Sequence, residues 1–198
     1  MKIHAYAAEL LGTFLLALLV HLSLGSSFPV PTPVVAGLTL GLIVYMFGSV
    51  SGAHVNPAVT VGLAVIHKIS WNDAAAYIVM QLTGGLLAMM VGNTLMGTQL
   101  DVIAGNTLSI GIAEALGAAI LVLGVSSVVL GKAPKEASGL TIGTALTLGA
   151  LTASSVSNGV VNPAVAVGIG SVSLAYIVGP LVGGAIAAFG YRALIGKS

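Results

Sequence analysis

The tripeptide Asn-Pro-Ala occurs twice in this 198-residue chain, at Asn56-Pro57-Ala58 and at Asn162-Pro163-Ala164. Its chemistry is that of a helix start that also offers hydrogen bonds. Proline suits the first helical position, where a backbone N–H would have no intrahelical partner. Asparagine before it caps the helix by accepting from an N–H of the first turn. The cap uses only the amide oxygen, which leaves the NH₂ group free to donate to a passing oxygen atom. Aspartate would donate nothing and would add a negative charge. Serine has one hydroxyl proton to offer. A helix N-terminus also carries roughly half a positive charge. Two such tips facing one another would receive uncharged, oxygen-bearing molecules and oppose cations and proton chains. The competing reading is two ordinary proline-initiated helices.

The elements that position these tips are written in the composition. Hydrophobic residues make up 57% of the chain and charged ones only 6%, with a mean hydropathy of +1.11. A soluble domain carries about 25% charged residues. Too few charges remain here to cover a surface in water, so the chain belongs in lipid. The 27 glycines suit closely packed membrane helices. No cysteine is present, which excludes disulfides and thiolate metal sites. The net charge of +1 argues against a nucleic-acid partner. Lys2 followed by an apolar run over 5–24 has the look of a signal peptide, but Glu9 interrupts it and a near-copy recurs mid-chain.

A membrane helix needs about 20 predominantly apolar residues. Six stretches meet this requirement: 3–24, 32–50, 72–96, 108–130, 138–157 and 173–195. Two shorter apolar pieces, 56–67 and 162–171, each open on Asn-Pro-Ala and read as re-entrant half-helices. Ser70 and Asp73 have the spacing of a capping pair, and Trp71 suits the membrane interface. In this six-span reading Lys2, Lys68, Lys132, Lys135, Arg192 and Lys197 all fall on one side. The positive-inside rule then makes both termini cytoplasmic in a multi-pass protein of the cell membrane.

Three stretches recur in order between the halves. Residues 8–12 (AELLG) match 113–117 (AEALG), 37–41 (GLTLG) match 139–143 (GLTIG), and 56–62 (NPAVTVG) match 162–168 (NPAVAVG). A weaker match pairs 82–85 with 181–184. The chain is thus one domain over 1–198, built from repeats 1–98 and 104–198. Three spans per repeat force the second copy to enter from the opposite face, so the repeat is inverted and the two half-helix tips meet near the midplane.

The irregular segments before each tip, 51–55 and 158–161, are tolerable at membrane depth only along a watery path. Candidate lining residues are therefore Gly52, Ala53, His54 and Asn56 from the first repeat, and Asn158, Val160, Val161 and Asn162 from the second. Their carbonyls would be the acceptors along that path. Glu9 and Glu114 are the acids inside spans. Their symmetric placement suggests that each holds a dipping loop through its N–H groups. A proton relay is the competing role. His54 is expected to contribute backbone more than ring chemistry. His4, His21 and His67 lie near span ends without metal-ligand spacing. Gly37 and Gly41 read as a helix-packing seam. Neither a metal nor a cofactor is called for. No nucleophile–base pair or phosphate loop supports an enzyme.

These residues resemble the aquaporin, or major intrinsic protein, family. The matching motifs are 8–14 (AELLGTF), 51–60 (SGAHVNPAVT), Ala113-Glu114, 161–164 (VNPA) and 180–184 (PLVGG). The resemblance covers nearly the whole chain. It implies an all-α membrane protein with six transmembrane helices plus two re-entrant half-helices. It further implies a homotetramer in the lipid bilayer with one pore per subunit, passing water or small uncharged solutes passively. A secondary transporter built on inverted repeats is the alternative function, and a non-conducting scaffold a third.

One departure bears on selectivity. The family usually has Arg immediately after the second Asn-Pro-Ala, whereas this chain has Val165. Offsets from the two asparagines place the other three positions of that outer filter at Ala36, Ala150 and Gly159. All four are small or apolar. The aspartate of glycerol channels is also missing, with Ala166 in its place. Losing ring volume and a fixed charge predicts a wider, less polar mouth that admits water and also ammonia, urea, hydrogen peroxide or small polyols such as glycerol. The counter-reading is that small residues let the helices close in, so that an apolar constriction dewets.

Overall fold

The computed structural model describes residues 2–26 and 28–196, and Lys197, one of the basic residues counted above, lies outside them. Eight α-helices follow in chain order among the described residues: α1 (Lys2–Gly25), α2 (Thr32–Ser51), α3 (Pro57–Val65), α4 (Trp71–Met96), α5 (Leu108–Val129), α6 (Ser138–Ala153), α7 (Pro163–Ile169) and α8 (Leu174–Ile195). Five of them, α1, α2, α4, α5 and α8, are long and apolar enough to cross a membrane. The sixth expected span, α6, has 16 residues, about 24 Å of helix. It stops at Ala153 rather than 157. Residues 154–157 turn instead, with the Ser157 N–H donating to the Ala153 carbonyl at 2.9 Å. That turn serves the site described below.

Helix ends follow their local chemistry. Pro33 lies in the first turn of α2, and Gly52 closes the helix in the left-handed region at φ +88°. Ser70 caps α4, its Oγ accepting from the Asp73 N–H at 3.1 Å. Lys2 pairs with Asp73 at 2.8 Å, and Arg192 reaches the Ile66 carbonyl at 3.5 Å. These contacts gather the N-terminus, the α3–α4 turn and the end of α8 at one end of the bundle.

Small residues let the spans approach. A Cβ on Gly37 would stand 2.5 Å from the Gly143 carbonyl, and one on Gly41 2.9 Å from the Gly139 carbonyl, so α2 crosses α6 backbone to backbone. The same device seats the half-helices, and it seats each in the other repeat. A Cβ on Gly184 of α8 would lie 2.6 Å from the Ala58 carbonyl of α3. Its repeat mate Gly85 of α4 faces the Ala164 carbonyl of α7 as closely. The core is therefore an interlock of the two halves, closed around Ala58, Val59, Ala164 and Val165, all buried.

Candidate functional site

Each Asn-Pro-Ala begins a short helix. The Asn56 side-chain oxygen accepts from the Ala58 N–H at 2.8 Å. That of Asn162 accepts from Ala164 at 3.0 Å and from Val165 at 3.4 Å. Both asparagines are 2% exposed. Their NH₂ groups do more than wait for a solute. Asn56 Nδ2 donates to the Val161 carbonyl at 3.1 Å, and Asn162 Nδ2 donates to the Val55 carbonyl at 3.0 Å. The two tips are stitched together by this reciprocal pair. One N–H of each amide is thereby committed, and one remains to donate.

This corrects two expectations. The NH₂ groups are half free rather than wholly free. The carbonyls of Val55 and Val161 each accept from the opposite asparagine, which occupies one of their two lone pairs. Val161 itself is 0% exposed, with its N–H given to Glu114, so it belongs to the frame rather than to the lining. Stitching two tips tightly requires carbonyls, and the nearest ones belong to the residues just before each asparagine.

The loops that deliver the tips are strained in the same pattern. Ala53 (φ +50°), Val55 (φ +41°) and Val161 (φ +49°) occupy the left-handed region, as does Gly159 (φ +64°). For a β-branched residue this is a true outlier, worth about 1–3 kcal/mol. The compensation is a buried carboxylate behind each loop. Glu9 Oε1 accepts from Ser51 Oγ at 2.6 Å and the His54 N–H at 2.9 Å, while its Oε2 accepts from the Val55 N–H at 2.8 Å and Gln81 Nε2 at 2.7 Å. Glu114 Oε1 accepts from Ser157 Oγ at 2.7 Å and the Val160 N–H at 3.0 Å, and its Oε2 from the Val161 N–H at 2.6 Å. Every partner is a donor, as suits a carboxylate.

The two loops differ in what surrounds them. His54, besides its N–H bond, puts Nδ1 at 3.1 Å from Thr60 Oγ1 and meets Tyr77 edge-on at a centroid distance of 5.1 Å. Gln81 also donates to Thr60 at 2.9 Å, and Tyr77 donates to the Ser51 carbonyl at 2.8 Å. Ala53, His54 and Asn56 thus sit in a dense polar web, while Gly52 is exposed and donates only to the Gly48 carbonyl. The second loop instead borders a vestibule of about 250 Å³ that runs from Leu24 and Thr32 down to Asn162. Ala36, Ala150, Gly159 and Val165 all line it, together with Asn158 and Val160. Few donors remain free there. Asn158 Nδ2 is tied to Ser171 Oγ at 2.8 Å and the Ile103 carbonyl at 3.1 Å, and Ser154 donates to the Ala150 carbonyl at 2.7 Å.

Ser51, Ser157, Thr60, Gln81, Tyr77 and Tyr176 were not foreseen. Ser51 and Ser157 stand at the same offset before the two asparagines, so the repeat itself carried the signal. Tyr77 and Tyr176 likewise precede the matched 82–85 and 181–184 segments by the same interval. Tyr77 donates to a loop carbonyl, whereas Tyr176 Oη accepts from the Asn158 N–H at 2.9 Å. Gln81 and Thr60 have no polar counterpart in the second repeat, so nothing in the pattern marked them.

The profile of the family described as Major intrinsic protein matches residues 1–191. A protein of Arabidopsis thaliana named "Probable aquaporin NIP7-1" is 31% identical over 94% of this chain and 75% of its own length. One of Lactiplantibacillus plantarum named "Glycerol uptake facilitator protein-like 6" is 31% identical over 96% of this chain and 97% of its own. In fold, the chain is similar to the X-ray structure of the aquaglyceroporin from Plasmodium falciparum, with a TM-score of 0.67 at 20% identity over 96% of this chain and 94% of that one.

Proposed function

The chain belongs to the major intrinsic protein family, and on that premise we propose that it is a passive transmembrane channel for water and small uncharged solutes whose outer filter is wide, apolar and without arginine. The observation that carries the reading is the vestibule itself. Ala36, Ala150, Gly159 and Val165 share one cavity that ends at Asn162, and none of them brings a ring or a charge. A solute entering there meets methyl and methylene groups and then the remaining N–H of the asparagine tip. Ammonia, urea, hydrogen peroxide and glycerol-like molecules are the solutes this mouth admits beside water. The positive ends of α3 and α7 still oppose cations and protons.

A coupled transporter needs an ionisable or ion-coordinating group with spare capacity at the midplane. Glu9 and Glu114 spend their acceptors on loop donors, which favours the channel. We further propose a homotetramer in the cell membrane with both termini cytoplasmic, from the side on which the basic residues gather.

The test is stopped-flow light scattering on proteoliposomes with a panel of solutes, comparing the native chain with Val165→Arg. The native protein should pass water and at least one of urea, glycerol, ammonia or hydrogen peroxide, and the arginine should cut the solute flux several-fold more than the water flux. Water flux alone, with every solute excluded, defeats the wide filter. Flux that saturates and follows an ion gradient defeats the channel.

A further inference from the structure

Between α1, α4 and the end of α7 lies a second cavity of about 110 Å³, lined by His21, Met89, Asn93, Gln99, Leu100 and Ile169 among others. His21 is 0% exposed, with Nδ1 at 2.8 Å from the Gly168 carbonyl. A carbonyl only accepts, so Nδ1 carries the proton and Nε2 presents a lone pair. That Nε2 is buried with no partner in the protein, and so is Asn93 Oδ1. Two buried acceptors on one cavity would each cost about 1–3 kcal/mol if nothing met them.

The sulfur chemistry sits on the same surface. Met89, Gly92, Asn93 and Met96 recur at helical spacing along one face of α4, which faces α1. Gly92 makes room for the imidazole, since a Cβ there would stand 2.8 Å from Nε2. Met96 packs against Gly25, one turn of α1 beyond His21. The cavity lining contains no carboxylate. An imidazole nitrogen and a thioether sulfur suit a soft, singly charged cation, with the neutral amide oxygen as a weak third donor, whereas hard divalent ions seek carboxylates and zinc favours thiolate or several imidazoles. The spacing of histidines in the sequence hides such a site because its ligands come from different helices and are mostly not histidine.

We propose that this cavity is a coordination site for a soft monovalent transition-metal cation of the Cu(I) or Ag(I) class, with His21 Nε2, Met89 Sδ and Asn93 Oδ1 as its ligands. The chain has no cysteine, so no thiol competes for such an ion.

The purified full chain in detergent micelles is titrated with Ag⁺ by calorimetry and with Cu⁺ anaerobically against a chromophoric chelator. X-ray absorption at the copper edge then reads the ligand atoms. One ion per chain, with both nitrogen and sulfur scatterers, is the result expected. Met89→Leu should weaken binding by tenfold or more and Asn93→Leu by less, both leaving the His21–Gly168 bond in place. Met90→Leu, on the exposed side of the same helix, should change nothing. Absence of stoichiometric binding, binding untouched by Met89→Leu and Asn93→Leu, or Zn²⁺ held as tightly as Ag⁺ overturns the site and leaves a cavity that holds water only.

Discussion

The two loops share a backbone and differ in their company. Segments 51–56 and 157–162 use the same serine, the same carboxylate and the same left-handed valine, and each surrenders a carbonyl to the other's asparagine. Around that frame the first repeat adds Gln81, Thr60 and His54. At the corresponding positions the second repeat has Pro180, Ala166 and Val160. The first loop is therefore clamped from several directions, and the second is left with one side open to a vestibule. The difference teaches that the duplicated frame fixes where the tips point, while the unduplicated side chains decide which loop is enclosed and which borders a cavity.

The sharpest way to break this comparison is to remove each carboxylate. Glu9→Leu orphans four donors, Ser51 Oγ, the His54 and Val55 N–H groups and Gln81 Nε2. Glu114→Leu orphans two, the Val160 and Val161 N–H groups, because Ser157 Oγ still reaches the Ala153 carbonyl at 2.9 Å. At about 1–3 kcal/mol per unmet buried donor, Glu9→Leu should lose at least ~4 kcal/mol and Glu114→Leu at least ~2 kcal/mol. Thermal unfolding of the purified protein in detergent checks the order. Equal losses would mean that the first loop's extra partners carry no weight.

Next in size is Gly159→Ala. A Cβ there would stand 2.6 Å from the Ala150 carbonyl, at a φ of +64°. Overpacking of this kind costs about 1–3 kcal/mol. Because Gly159 and Ala150 both line the vestibule, solute flux should fall along with the melting temperature. A loss of stability with unchanged flux would remove Gly159 from the entrance.

Gln81→Leu follows. It keeps the volume and deletes the bonds to Glu9 and Thr60, at a cost of about 1.5–3 kcal/mol. Combined with Thr60→Ala, it should show less than the sum of the two single losses, since both belong to one network. Additive losses would dissolve the web into separate contacts. The smallest effect is a gain. Ala53→Gly relieves a φ of +50° at the position where the second repeat already has Gly159, and it should stabilise by about 0.5–1 kcal/mol.

The fold was largely legible because membrane spans and a duplication both leave strong marks in sequence. Asn-Pro-Ala announced α3 and α7 to within a few residues, and Gly37 and Gly41 announced the α2–α6 seam. The end of α6 was not legible, since Ser154, Ser155 and Ser157 can return their hydroxyls to the preceding turn as in a membrane helix, and the segment turns to bring Ser157 to Glu114. Within the site, anything doubled could be read, and the frame of asparagines and glutamates is doubled. The reciprocal stitch could not be read, because an asparagine's second partner depends on a carbonyl more than 100 residues away. Gln81 was invisible for the opposite reason: it is not doubled, and its mate in the second repeat is a proline.

That stitch has a consequence for how the molecule is made. Asn56 is joined to a carbonyl 105 residues further along the chain, and α3 rests on a glycine of the last helix. At 5–20 residues per second of synthesis, the first tip waits roughly 5–20 s for its counterpart to emerge from the ribosome. Until then the N-terminal half sits in the translocon's neighbourhood with a donor unmet and a bent loop unlocked. The interlock can close only once both halves are present.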